Sequence, residues 1–219
     1  MPTQTVVEFY FDPISPYSWL AAHRLEPIEA AGAKLVFCPV LLPGLLSAHG
    51  TKGPAETPSK REYTMRDVLR TAARYGLDVK GPPTHPFNPL RALRMCIALD
   101  DGAARRRFSL ALLNGAWQRG LELSDEAVLI ALANECDLDG RALLALASEP
   151  AVKQRLAAAT EAAVAAGIFG VPTFRLEKEI FWGEDRIDAL LWRLQGNSID
   201  EALLADVLAR PASAARKVG

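Results

Sequence analysis

The sequence predicts an α/β fold in which a β-α-β unit and a β-β-α unit are separated by a long helical block. Three observations carry this expectation. A β-prone run near the N-terminus leads directly into a helix-start signal, β character returns at residue 171, and the residues between are patterned mainly as helices.

The opening run is Val6-Val7-Glu8-Phe9-Tyr10-Phe11. It alternates little, as a strand buried on both faces would. Asp12-Pro13 forms a turn, and Ser15-Pro16 starts a helix, since serine is a favoured N-cap and proline a favoured first helical residue. The helix is expected to reach about Ala31 and stop at Gly32. A second strand from Leu35 to about Val40 completes a unit whose strands should be parallel, with a right-handed crossover. From Pro43 to about residue 60, Gly, Pro, Ser and Thr predict a loop with a role of its own.

Apolar stripes then recur at helical spacing: Met65, Val68, Leu69 and Ala72, followed by Phe108, Ala111, Leu112 and Ala116. Such stripes read as core. Asn88-Pro89 opens a further helix, Ser124 caps another, and Pro150 opens an alanine-rich helix ending near Gly167. Val171 to Leu176 and Ile180 to Trp182, joined by a polar turn, predict a hairpin. Gly183 precedes a helix with the stripe Ile187, Leu190, Leu191 and Leu194, and Pro211 to Gly219 reads as a frayed basic tail.

Composition narrows the function. The chain has 219 residues, half of them hydrophobic, enough for a substantial core. Its 25 Lys and Arg nearly balance 26 Asp and Glu, with no long basic block, which argues against nucleic acid as a partner. No apolar run approaches the ~18 residues of a membrane span, so no membrane partner is expected. Met1 to Tyr10 holds no Lys or Arg, and Glu8 breaks its apolar run. No export signal is read there, and a cytoplasmic location is expected. Cys38, Cys96 and Cys136 form no C-x-x-C, and His23, His49 and His85 show no metal spacing. Reduced, packed thiols and no metal site are the expectation.

The order of elements is that of a thioredoxin domain carrying a large all-helical insertion. The thioredoxin-like part spans residues 1–43 and 168–219, and the insertion spans 44–167. The segment YFDPISPYSWLA, starting at Tyr10, resembles the opening of 2-hydroxychromene-2-carboxylate isomerases and kappa-class glutathione transferases, which are DsbA-like. FGVPTF (Phe169 to Phe174) resembles their cis-proline loop, and WGEDRID (Trp182 to Asp188) the start of their glutathione-anchoring helix. GPAETPSKREY (Gly53 to Tyr63) and PFNPLRALR (Pro86 to Arg94) are similar too.

This resemblance implies glutathione as cofactor, a small-molecule substrate and a homodimer. Ser15 stands where redox relatives carry a reactive cysteine, so no disulfide can form at that turn. Its hydroxyl could instead donate to the thiolate of bound glutathione, favouring the charged sulfur; the plainer alternative is an N-cap alone. Val171, preceding Pro172, could offer its backbone to the cysteinyl part of glutathione if the bond is cis. A trans proline starting an edge strand is the alternative. Gly183, Glu184 and Asp185 would hold the γ-glutamyl end, or merely cap a helix with acid.

Two positions depart from the pattern: Glu184 replaces a small polar residue, and Thr51 replaces a common asparagine. The added charge of Glu184 opposes a ligand carboxylate unless it faces the ammonium or turns away. Lys60 could attract an acidic group, Asn88 could bind a substrate oxygen, and Tyr17 could line the pocket, whereas Trp19 reads as core. Lys60 and Asn88 could equally be a surface lysine and a capping asparagine. The function implied is a glutathione-dependent isomerase acting on an aromatic oxo-acid. The alternatives are a kappa-class-like transferase and a non-catalytic thiol- or peptide-binding module.

Overall fold

Four strands place one phenylalanine each in a single row across the sheet. They are β1 (Val6–Phe11), β2 (Lys34–Pro39), β3 (Thr173–Leu176) and β4 (Glu179–Trp182), in the spatial order β2-β1-β3-β4. Phe9 lies opposite Phe37 on β2 and Phe174 on β3, and Phe174 lies opposite Phe181 on β4. Because side chains alternate along a strand, these rings share one face. Phe9 meets Phe37 edge-on at 5.3 Å between centroids and stacks on Phe174 at 5.0 Å. The β1–β2 pair is parallel, as the β-α-β reading requires, and β3 and β4 run antiparallel to their neighbours.

The computed structural model describes residues 4–211. Between β2 and β3 lie α3 (Leu42–Ala48), α4 (Pro58–Tyr75), α5 (Leu90–Ala98), α6 (Gly102–Trp117), α7 (Glu126–Glu135), α8 (Gly140–Leu146) and α9 (Pro150–Ala165). Helices α1 (Pro16–Ala22) and α2 (Glu26–Ala30) join β1 to β2, and α10 (Ile187–Leu194) and α11 (Glu201–Ala209) follow β4. Phe108, Leu112, Ala116 and Trp117 of α6 share one core with the phenylalanine face. The other face buries Tyr10 with Val40, Leu45, Ala163, Ile168 and Val171. The fold is a thioredoxin-like α/β sheet with a helical insertion. Among the described residues, no helix is long and apolar enough to cross a membrane.

Several elements differ from expectation. The helix predicted from Ser15 to Ala31 is two helices, broken at residues 23–25. Pro27 explains the break: it lacks an N–H, and its ring would meet the carbonyl four residues back, so it is tolerated only in the first turn of α2. Gly32 ends the unit with φ +85° as anticipated. The predicted loop after Pro43 contains α3, because Pro43 sits in a first helical turn and Leu45 is fully buried. Asp125, not Ser124, caps α7, accepting from the Ala127 N–H at 2.8 Å, while Ser124 donates to Glu122. Leu69 leaves its stripe and is exposed. A 3-10 turn, Glu184–Arg186, separates Gly183 from α10. Of the tail read from Pro211 onward, residues 212–219 lie outside the described residues.

Phe9 is the ring common to both central contacts of the row and is fully buried. Phe9→Ala is expected to lower the unfolding free energy by about 3–5 kcal/mol, read from urea denaturation. A loss below about 1 kcal/mol would show that the row is not a packed core.

Candidate functional site

The site is built on the turn Asp12-Pro13-Ile14-Ser15, and its first support is the Asp12 carboxylate. Asp12 is fully buried. Its Oδ1 accepts the Ile14 N–H at 3.0 Å and its Oδ2 accepts the Leu42 N–H at 2.9 Å, while its carbonyl accepts the Ser15 N–H at 3.0 Å. One side chain thus ties the β1–α1 turn to the first residue of α3. Burial pushes the Asp12 carboxyl up to about 7, against the opposing pull of its two backbone donors.

The helical insertion supplies two more supports. Trp117 Nε1 donates to the Pro13 carbonyl at 2.9 Å, and His85 Nε2 lies 3.1 Å from the Ile14 carbonyl. A carbonyl only accepts, so His85 carries its proton on Nε2. The two rings meet edge-on at 5.2 Å. Burial lowers the His85 pKa, which favours the neutral ring. Both carbonyls that precede Ser15 are therefore held by donors from the insertion.

Ser15 emerges from this turn only 6% exposed. Its Oγ accepts the Ser18 N–H at 3.3 Å, the N-cap read from sequence, and donates towards the Val171 carbonyl at 3.4 Å. The Val171–Pro172 bond is cis. Among the described hydrogen bonds, the Val171 N–H has no partner. Pro172 in turn accepts the Gly183 N–H at 2.9 Å. Ser15, Val171, Pro172 and Gly183 are thus brought together by three separate stretches of chain.

Gly183 adopts φ +119°, and a Cβ there would run into Asp185 Oδ1. This is why glycine precedes the 3-10 turn. Asp185 is exposed, with its carboxylate 3.2 Å from Arg186. Glu184 is buried and turned away from Asp185. Its Oε2 accepts from the Tyr75 hydroxyl at 2.8 Å and lies 3.8 Å from Arg24 Nη1. Arg24 also lies over the Tyr75 ring and pairs with Asp188 at 3.0 Å.

Tyr17 is half-buried and donates to Asp67 at 2.9 Å, and burial followed by that bond raises its hydroxyl pKa. Among the described hydrogen bonds, none joins the remaining predicted residues to this cluster. Thr51 directs its hydroxyl back to the Leu46 carbonyl at 3.4 Å. Lys60 is exposed on α4, and Asn88 Oδ1 accepts the Leu90 N–H at 3.0 Å at the start of α5. Trp19 is fully buried, as expected, and donates to Asn114. All three cysteines are free; burial pushes Cys38 and Cys96 each up to about 12 and raises Cys136 as well. None has the thiolate character of a reactive cysteine.

Sequence reasoning missed Asp12, His85 and Trp117 as parts of the site. Asp12 read as an ordinary turn residue, and the other two lie 71 and 104 residues from the carbonyls they hold.

Comparison with known proteins places the fold in a family. Residues 6–195 match the family described as DSBA-like thioredoxin domain. The chain is 30% identical over 187 residues to a 2-hydroxychromene-2-carboxylate isomerase of Sphingobium xenophagum, covering 84% of this chain and 95% of that protein. It is 24% identical to glutathione S-transferase kappa 1 of Rattus norvegicus, covering 88% and 92%. A solved structure of a 2-hydroxychromene-2-carboxylate isomerase superposes with a TM-score of 0.81 at 25% identity, over 94% of this chain and all of that one.

Two outcomes test the site's construction. The raised Asp12 pKa means that the native state holds this proton more tightly than the unfolded chain, whose carboxyl titrates near ~3.9. Its contribution is complete below that value and is lost as pH rises through about 7. The stability of wild type relative to Asp12→Asn should therefore fall between about pH 4 and about pH 8, by on the order of a few kcal/mol. A pH-independent difference in urea titrations would contradict a buried titrating carboxylate. Separately, Gly183→Ala should cost about 1–3 kcal/mol through its disfavoured backbone, seen as a lower thermal midpoint; an unchanged midpoint would refute the constraint.

Proposed function

Because the chain belongs to the family of DSBA-like thioredoxin domains, we propose that it is a glutathione-dependent isomerase acting on a 2-hydroxychromene-2-carboxylate-like aromatic oxo-acid. The observation that carries this reading is the Ser15 hydroxyl lying against the Val171 carbonyl, beside a Val171 N–H with no partner among the described hydrogen bonds. An unspent backbone donor and a serine hydroxyl at one helix tip fit the cysteinyl part of a peptide thiol. The similarity to proteins named 2-hydroxychromene-2-carboxylate isomerase and glutathione S-transferase kappa supports the same choice.

Glutathione, when bound, supplies a sulfur anion that adds reversibly to the unsaturated acid and frees a bond to rotate. The chain's own residues do the rest. Ser15 would turn its O–H from the long contact with Val171 to donate a hydrogen bond to the sulfur, favouring the charged form. Val171 presents its N–H and C=O to the peptide. Gly183 shapes the turn on which exposed Asp185 can accept from the ligand ammonium. Glu184, already held by Tyr75 and Arg24, brings no free carboxylate to oppose the ligand's own. Lys60 would attract the acid, the Asn88 amide N–H would donate to a substrate oxygen, Tyr17 would line the pocket, and Thr51 would contact glutathione. Since all three cysteines are free and packed as thiols, nothing in the chain demands a redox step.

A kappa-class-like transferase would use the same residues, and the likeness to glutathione S-transferase kappa keeps that reading in play. Incubation with glutathione and a chromogenic haloaromatic separates the two: free thiol recovered after turnover marks the isomerase, and a stable conjugate marks the transferase. Failure to bind glutathione in calorimetry would leave only a binding module. For Ser15→Ala, loss of one hydrogen bond to an anion is worth about 1.5–3 kcal/mol. The thiol of bound glutathione should then titrate about 1–2 pH units higher, followed by thiolate absorbance. An unmoved titration with unchanged turnover would remove Ser15 from the reaction.

A further inference from the structure

A groove of about 480 Å³ runs between α3, α5 and α9, and none of the residues assigned to the glutathione site lines it. Leu41, Leu90, Leu156 and Val164 give it an apolar floor, while Arg94 and Lys153 bring two cations to its wall. The other arginines of the same two helices are matched: Arg91 pairs with Glu126 at 2.8 Å and Arg155 with Asp100 at 2.7 Å. Among the described residues, neither Arg94 nor Lys153 has an acid within ion-pair distance. The Arg94 Nε–H is moreover buried with no hydrogen-bond partner. A buried donor without an acceptor is uncommon and points to a missing partner.

The groove also has a direction. Leu93, next to Arg94 on α5, packs in one cluster with Val152 and Leu156, the α9 residues before and after Lys153. Glu161, which also lines the groove, follows Lys153 by eight residues, or about 12 Å along a helix. Lys153 is therefore held away from Glu161 along α9. An arginine fork suits a carboxylate held by two parallel hydrogen bonds. The volume is that of a small-ligand site.

We propose that this groove is a second binding site, distinct from the Ser15 cleft, for a compact amphipathic carboxylate. Its acid group is held by Arg94 and Lys153, and its aromatic or branched apolar body lies on the leucine floor. The proposal does not depend on the glutathione reading, since none of its residues serves that site.

Calorimetric titration of the full chain with 2-naphthoate, at saturating glutathione, tests it. Saturable binding is expected, with little binding of 2-naphthalenemethanol, which keeps the rings and lacks the charge. Arg94→Met retains the aliphatic stem and should weaken binding at least tenfold. Ala157→Trp, which fills the groove, should abolish binding, and Glu161→Gln should tighten it by no more than about twofold. Circular dichroism checks that each variant is folded. Absence of naphthoate binding, or binding that Arg94→Met and Ala157→Trp leave unchanged, overturns the proposal. Binding lost instead in Lys60→Met would place the acid in the Ser15 cleft and overturn it equally. Naphthoate binding that persists in a protein that takes up no glutathione would sustain the groove while removing the catalytic reading.

Discussion

A single buried carboxylate organises this protein's working end. Asp12 has no solvent to stabilise its charge, and its two oxygens hold backbone N–H groups from different strand–helix junctions. Were it absent, two donors would be left unpaired in the interior, each an energetic penalty larger than the bond itself was worth. The turn carrying Ser15 and the start of α3 are thereby held in one arrangement. The insertion reinforces it from the other side through Trp117 and His85, whose donors occupy the two carbonyls ahead of Ser15. The serine hydroxyl is thus displayed on a turn with its backbone groups already committed, which is what preorganisation of a donor requires.

The charges around the site show the same economy. Glu184 looks unfavourable in the sequence, an extra anion beside the turn expected to take a carboxylate. In the folded chain it points inward to Tyr75 and Arg24, so its charge is balanced by a guanidinium and a hydroxyl. Asp185, its neighbour, remains at the surface. The thiols follow a parallel logic: burial holds Cys38 and Cys96 protonated, so any sulfur chemistry at Ser15 must use a sulfur brought from outside. Arg94, whose buried Nε–H has no acceptor, stands in contrast to these satisfied groups, and that contrast singles out the groove.

Much of the architecture was legible because its signals are local. Ser15-Pro16 marks a helix start through cap geometry alone, the alternation-poor run at residues 6–11 marks a buried strand, and two β-prone runs about a polar turn mark the hairpin. The failures were local signals with two meanings. Pro27 and Pro43 each sit in a first helical turn, yet in the sequence one reads as the interior of a longer helix and the other as the beginning of a loop. Proline both starts and breaks helices, and only the packing of Leu45 beneath α3 decides the second case.

The sequence by itself determined the order of elements, the serine at the helix tip, the lack of a cysteine pair and the glycine before the acidic turn. Each depends on backbone stereochemistry within a few residues. Tertiary structure decided which way Glu184 faces, what holds the Ser15 turn, and that the Arg94 Nε–H is buried without an acceptor. Those outcomes rest on partners 30 to 160 residues apart in the chain. No periodicity encodes such distances; only the packing of the insertion against the sheet brings the groups within hydrogen-bond reach.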